Sequence, residues 1–158
     1  MEKIDWKNLS YDDFTGFVAV TAFLLFVLYF GGLWYTTYDY RIQMRDQMVE
    51  MYQQLPNPIP PIEDDYGVHQ RWLVFYIDGV KVLNKPQPEN VINEYKKALE
   101  KEGWATEREY EHVRNDKNKI YGINMRKGEF ILSVSARENR DSINIHLIKR
   151  DWIYNKGF

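Results

Sequence analysis

The sequence predicts a mixed α+β protein. One N-terminal transmembrane helix continues into an amphipathic stalk, and a small antiparallel sheet with one helix packed on it follows. Three observations support this prediction. Residues 14–38 contain no charged side chain, although 28% of the chain is charged. A proline-rich segment then separates the N-terminal part from the rest. Beyond it, runs rich in β-branched and aromatic residues alternate with turn residues, and one helical pattern interrupts them.

The uncharged residues 14–38 are predicted to form the transmembrane helix, after a short tail at 1–13. As an α-helix this segment would be about 37 Å long, which exceeds the roughly 30 Å hydrocarbon core of a bilayer. Trp34, Tyr35 and Tyr38 cluster at its C-terminal end, and aromatic rings favour the headgroup region. A buried core helix is rarely so long and charge-free. The acidic flank and the lack of an A-x-A site argue against a cleaved secretory signal.

The flanking charges favour an extracytoplasmic position for the C-terminal domain. Lys3 and Lys7 precede the apolar helix, and Arg41 and Arg45 follow it. Together with the terminal amino group, the N-terminal flank carries the slightly larger positive charge, and the more positive flank usually stays in the cytoplasm. We therefore expect an integral, single-pass membrane protein with a signal anchor.

Residues 39–55 contain neither Gly nor Pro and are predicted to continue the helix as an amphipathic stalk. Its apolar positions follow the spacing of a heptad seam, and they are Met44, Met48, Met51 and Leu55. Two interpretations stay open. The seam pairs with a partner helix, or it rests on the protein's own domain or on the lipid surface.

A soluble α+β domain is predicted at 68–158, after a stiff linker at 56–67 that contains four prolines between positions 56 and 61. The dipeptide Asp78-Gly79 lies between two β-rich runs and indicates a hairpin turn. A helix follows, with Pro88 in its first turn and Gly103 after its end. Its apolar stripe consists of Val91, Ile92, Tyr95 and Leu99.

The rest of the domain is predicted to be a meander of four strands, at 104–113, 120–126, 129–138 and 143–152. In the last two strands apolar residues alternate with more polar ones, which identifies the face that points to the core. The inward positions are Phe130, Leu132, Val134, Ala136, Ile143, Ile145 and Leu147.

Few residues suggest chemistry. Glu107, Glu109 and Glu111 alternate along one strand, and we interpret them as a solvated face opposed by basic neighbours rather than a cation site. His112 and His146 lie in the same predicted sheet, so a two-histidine site is geometrically possible, although structural or exposed histidines are commoner. There is no cysteine, no phosphate-binding glycine loop and no G-x-S-x-G motif. We therefore predict no catalytic residue, cofactor or metal, and no enzyme.

The expected function is that of a non-catalytic, membrane-anchored accessory or scaffold subunit of a membrane or cell-envelope complex. The expected partners are the lipid bilayer and other membrane protein subunits, in a homo- or hetero-oligomer. Small residues in a helix permit close approach of a second helix, and methionines suit adaptable contacts. The candidate partner-binding residues are Gly16, Ala19, Met44, Met48, Met51 and Leu55. The modest net charge of −2 does not indicate nucleic-acid binding.

Two alternatives remain open at this point. The head is a tethered domain that binds a small ligand or a lipid, because a sheet that grips a helix can open an apolar pocket. Alternatively, the chain is a pilin-like filament subunit. Gly16-Phe17 before a long apolar helix resembles the start of a type IV prepilin, but Thr21 stands where pilins have a glutamate.

Overall fold

The computed structural model describes residues 11–71, 74–84, 86–113 and 118–150, with side chains from residue 14 onward. The elements are α1 (Tyr11–Thr36), α2 (Tyr38–Gln53), β1 (Glu63–Arg71), β2 (Val74–Val82), α3 (Pro88–Lys101), β3 (Ala105–Val113), β4 (Lys119–Lys127), β5 (Phe130–Arg137) and β6 (Ser142–Lys149). The chain divides into two compact units, which we call the anchor unit (residues 1–42) and the head (residues 43–158).

The six strands of the head form one antiparallel sheet in the order β1-β2-β6-β5-β4-β3. The first hairpin, β1–β2, joins the meander β3–β6 through its last strand, because β6 pairs with β2 as well as with β5. This arrangement confirms the predicted α+β class and the order of hairpin, helix and four-stranded meander.

One face of the sheet is the core of the head, and the alternation seen in the sequence identifies it correctly. The buried strand residues include Phe75, Ile77, Ile123, Met125, Leu132, Val134, Ala136, Ile143, Ile145 and Leu147. The helix α3 crosses β3, β4 and β5 and buries its predicted stripe of Val91, Ile92, Tyr95 and Leu99. It ends in a Schellman motif, in which Gly103 has φ +84° and Trp104 N–H donates to the Leu99 carbonyl.

Two helices cover this face, whereas the sequence predicted one. The head part of α2 buries Met44, Met48 and Tyr52, and the ring of Tyr52 lies over Gly79 of β2. The other half of the sheet would otherwise expose its apolar side chains to water, which is unfavourable in proportion to their area. The segment predicted as a stalk therefore supplies part of the core of the head.

The predicted turn at Asp78-Gly79 is wrong, because both residues lie inside β2, opposite Gly67 and Tyr66 of β1. Gly79 serves close packing rather than a turn, since a Cβ built there would overlap the phenol of Tyr52. The two runs predicted as strands of a hairpin lie largely in the single strand β2, and the hairpin before α3 is formed instead by β1 and β2, beginning at Glu63. Residues 63–67 of the predicted linker are therefore strand, because the proline constraint ends at Pro61.

We expect Gly79→Ala to destabilise the head by about 2 kcal/mol, because the added methyl group overlaps the Tyr52 ring and overpacking typically costs 1–3 kcal/mol. Urea unfolding followed by tryptophan fluorescence measures the change. In the double variant Tyr52→Leu/Gly79→Ala the two costs should be less than additive. Strict additivity would show that the glycine is required for another reason.

Candidate functional site

The structure separates the six candidate partner-binding residues into two groups. Gly16 and Ala19 lie on α1 in the anchor unit, where both are exposed and nothing lies within 4 Å of a Cβ built on Gly16. The seam residues belong to the head, where Met44, Met48 and Leu55 are buried and Met51 is half-buried.

The structure agrees with the second interpretation of the seam, in which the seam packs against the protein's own domain. The seam is buried because the sheet needs a second covering helix. Met44, Met48 and Leu55 are therefore not available to a partner helix.

The helix α1 exposes apolar side chains on all sides. Its stretch Phe14–Thr36 has 23 residues and is long and apolar enough to cross a membrane. The most apolar 18 residues of this stretch are not buried inside the protein. The helix has no polar face that would account for this surface. A helix that is apolar all round is stable only in a core or in a bilayer.

The C-terminal end of this apolar stretch carries aromatic and basic groups. Within the anchor unit the Arg41 guanidinium lies 3.5 Å from the centroid of the Trp34 ring, and its Nη2 donates to the Trp34 carbonyl at 2.9 Å. The hydroxyls of Thr36 and Thr37 donate to carbonyls one turn earlier, at 2.8 and 2.7 Å. Part of the Arg41 charge is thus satisfied within the anchor unit, by the Trp34 ring and carbonyl.

A polar cluster around the buried Lys81 holds the start of β1 and the segment before it against β2. Lys81 is 1% exposed, and its Nζ lies 3.0 Å from an Asp64 carboxylate oxygen and also bonds Asn57. The Tyr52 hydroxyl donates to the other Asp64 oxygen at 3.2 Å. The lysine charge is buried only because these groups surround it, so the cluster is a structural clamp.

Two buried tyrosines lie near this clamp. Burial raises the pKa of Tyr52 and of Tyr95 well above the usual value for a phenol, and the negative charge of Asp64 raises both further. Tyr95 Oη is buried and has no hydrogen-bond partner among the described residues. Both phenols therefore stay protonated in the folded head at alkaline pH.

The opposite face of the sheet is open and carries a histidine–aspartate cluster. Asp78 Oδ1 lies 2.6 Å from His146 Nδ1, and Asp78 Oδ2 lies 3.8 Å from His69 Nε2. Tyr76 lies beside both imidazoles, with ring centroids 5.1 Å from His69 and 5.5 Å from His146. All three ionisable side chains are about half exposed. The contact with Asp78 fixes the orientation of the His146 imidazole.

This cluster supplies an oriented base without an activated nucleophile. Ser133 is the ladder partner of His146 across β5 and β6, but no hydrogen bond joins the two side chains. Sequence reasoning missed the cluster because Asp78 was assigned to a turn and because 68 residues separate it from His146. The i, i+2 spacing of Tyr76 and Asp78 on one strand was the available clue.

The two-histidine arrangement that the sequence left possible does not form between His112 and His146. The strands β5 and β4 lie between β6 and β3, and His146 contacts Asp78 and Tyr76 instead. Within the described parts of the chain, no group of three or more His, Cys, Asp or Glu side chains is arranged to hold a metal ion.

The three glutamates of β3 are paired with basic residues, as predicted. Arg126, Lys96 and Lys119 lie 3.3, 2.6 and 2.7 Å from Glu107, Glu109 and Glu111 respectively. The expected common face is interrupted, because the register of β3 against β4 shifts between Thr106 and Arg108 and makes Glu107 the extra residue of a bulge.

An open groove of about 680 Å³ lies in the head between α2 and the edge strand β1. Val49, Val68 and Phe75 supply its apolar surface, and polar side chains form its rim. The rim and remaining lining consist of Arg45, Asp46, Glu50, Gln53, Tyr66 and Gln70.

No known protein family matches this sequence, and no curated protein is significantly similar to it.

We expect Asp64→Asn to destabilise the head by about 3 kcal/mol, because it leaves the Lys81 charge buried without its partner. Asp78→Asn is the matched control. It removes an exposed carboxylate of the same size and should cost less than about 1 kcal/mol. Chemical unfolding of both variants at pH 7 makes the comparison. Equal costs would show that Lys81 does not depend on Asp64.

Alkaline pH should destabilise the head through its two buried phenols. Because the pKa of each phenol is higher in the folded head than in the unfolded chain, a rise in pH above about 10 deprotonates the unfolded chain first. The free energy of unfolding is therefore unaffected by these groups below about pH 10 and falls above it. Each phenol then removes about 1.4 kcal/mol per pH unit. Tyr95→Phe should unfold at the same urea concentration as wild type at pH 7 but lose less stability by pH 11. Identical pH profiles would refute the burial of this hydroxyl.

Proposed function

We propose that the protein is a non-catalytic, single-pass membrane-anchored accessory or scaffold subunit of a membrane or cell-envelope complex, and that its head binds partner proteins outside the cytoplasm. One observation carries the proposal: α1 is apolar on every side, and its most apolar 18 residues are not buried inside the protein. Large side chains that remain in water forfeit roughly 1.5–3 kcal/mol each. A bilayer recovers this free energy for the whole helix at once.

The head does not need α1 for its core. Its buried residues lie on α2, α3, β2, β4, β5 and β6 and in the adjoining loops. The apolar helix is therefore better explained by a lipid solvent than as a displaced core element. Membrane anchoring, rather than ligand binding by α1, follows as the first part of the proposed role.

The small residues of α1 support an assembly role within the membrane. Gly16 and Ala19 are three positions apart, so they lie close together on the helix surface, and both are exposed. Because lipid offers no hydrophobic drive between helices, close backbone approach at small residues is a main source of helix association. These two residues are the proposed contact point for a neighbouring transmembrane helix.

The head is proposed to act by binding rather than by catalysis. Its oriented imidazole, His146, lacks an activated nucleophile among the described residues, and its groove beside β1 is open rather than enclosed. An open groove beside a strand edge suits a macromolecule better than a small ligand, which is usually surrounded on most of its surface.

Expression of the full chain, followed by carbonate washing of the membranes and native mass measurement in mild detergent, tests the proposal. We expect an uncleaved 19.0 kDa chain that stays with the membrane and migrates in a larger assembly. Gly16→Leu/Ala19→Leu should reduce that assembly without releasing the chain from the membrane, whereas Val20→Leu should leave it unchanged.

Two outcomes would contradict the proposal. Cleavage after the apolar helix would identify it as a signal sequence, which passes the same tests of length and composition. A lone 19.0 kDa species in every mild detergent would remove the assembly role while leaving the anchor intact.

A further inference from the structure

The head has two sheet edges, and they differ in their capacity to pair. Among the described residues, β1 and β3 each have a strand neighbour on one side only. An open edge presents unpaired backbone N–H and C=O groups and invites another strand. Natural proteins block such edges with bulges, charges or covering elements.

The β3 edge is blocked. It contains the bulge at Glu107, where the register against β4 shifts between Thr106 and Arg108. A bulge bends and twists the strand locally, so a second strand cannot pair with this edge in a continuous ladder.

The β1 edge is not blocked. Its register against β2 is regular from Glu63 to Arg71, without a bulge. The Leu83 N–H donates to the Asp141 carbonyl at 2.7 Å, so Leu83 and Asp141 form a hydrogen-bonded position of the ladder between β2 and β6. The next pair, Val82 and Ser142, is then a non-hydrogen-bonded pair. The backbone N–H and C=O of Val82 therefore point away from β6, towards β1. Alternation along the strands then turns the backbone groups of Tyr66 and Val68 outward, to the open edge.

The charges of β1 change sign along the strand. Glu63 and Asp65 lie near its start, Gly67 lies at its centre, and His69 and Arg71 lie near its end. All five are on the same side of the strand. Glu63, Asp65 and Arg71 form no ion pair with another described residue.

We propose that two copies of this chain pair edge to edge through antiparallel β1 strands, which joins their sheets into one. With Gly67 opposite Gly67 of the second copy, Glu63 faces Arg71 and Asp65 faces His69 of that copy. The two-fold axis repeats the ion pair between Glu63 and Arg71. Tyr66 and Val68 of the two copies become hydrogen-bonded pairs, which exchange two backbone bonds each.

The occupant favoured by this edge is a second copy because the charge pattern is self-complementary about its centre. An isologous interface places the same patch on both subunits, so a patch must match itself when rotated. The β1 pattern meets this condition. The glycine at the axis also removes side-chain bulk where the two strands come closest.

The groove beside β1 gives the pairing an apolar component. Val49, Val68 and Phe75 line this groove on the inner side of the strand, and Tyr66 stands at its border. In the paired arrangement the axis is perpendicular to the sheet, so both α2 helices lie on the same side of it. The two grooves then adjoin, and Tyr66 packs against Val68 of the second copy.

The inference deepens the proposed assembly role by naming a partner, yet it fails independently of that role. Edge pairing buries little surface, so we expect it to be weak in dilute solution. Attachment of both copies to one membrane would raise their effective concentration. The tests therefore use the full chain in lipid nanodiscs or native membranes.

Charge reversal tests the register. Glu63→Arg and Arg71→Glu should each reduce the dimer fraction at least tenfold, because each places like charges opposite one another twice. The double variant Glu63→Arg/Arg71→Glu should restore it. Within one chain these residues are about 27 Å apart along the strand, at roughly 3.4 Å per residue, so restoration must act between copies. Failure of restoration would overturn the proposed register.

A cysteine at the axis gives a second test, which is clean because the chain has no cysteine. Gly67→Cys should form an intermolecular disulfide in membranes, since facing residues of a non-hydrogen-bonded pair have Cα atoms about 4.5 Å apart. The new Cβ meets only the tip of the His69 side chain, at 2.8 Å. Asp65→Cys is the matched control and should not cross-link, because its copies lie about four residues apart.

Three results would overturn the proposal. They are a monomeric Gly67→Cys chain under oxidation, equal cross-linking at positions 65 and 67, and a disulfide from Gly67→Cys to a different protein only. The last result would leave the proposed accessory role standing while it removes the homodimer. If the chain left the membrane but still cross-linked through Gly67→Cys, the membrane-anchored role would fall and the homodimer would stand.

Discussion

The width of the sheet is the constraint on which the rest of the head depends. Six strands spaced about 4.8 Å apart span roughly 24 Å, whereas one helix with its side chains is about 10 Å across. The helix α3 covers β3, β4 and β5, so the apolar residues of β2 and β6 require a second cover. The methionine seam of α2 meets this need. The segment that the sequence predicted as a stalk therefore forms part of the core.

Several local features follow from the placement of α2. Tyr52 reaches over β2, and this contact requires a residue without a side chain at Gly79. Its hydroxyl then bonds Asp64, which neutralises Lys81 beneath the helix. The two helices do not extend over the whole sheet, so the inner side of β1 stays open as a groove. The incomplete cover and the unblocked strand edge are thus one feature of the architecture.

The sequence predicted the regular parts of the fold well, because hydrophobic periodicity is a local property. The inward faces of β5 and β6 and the buried stripe of α3 are examples. The errors involve residues whose role depends on distant partners. Asp78-Gly79 resembles a turn until Tyr52 is placed above it, and the Asp78–His146 contact depends on the pairing of β2 with β6. The seam of α2 matched two interpretations equally, since its spacing does not identify the surface that it meets.

The position of β6 has a consequence for biosynthesis. This strand is made last among the described elements, yet it lies at the centre of the sheet, between β2 and β5. The ribosome must synthesise every other described strand before β2 gains its second neighbour. Until then β2 and β5 each have an unpaired edge, and the β1–β2 hairpin is not joined to the β3–β5 strands. The sheet of the head therefore closes only when β6 has emerged from the ribosome, long after α1 has left the exit tunnel.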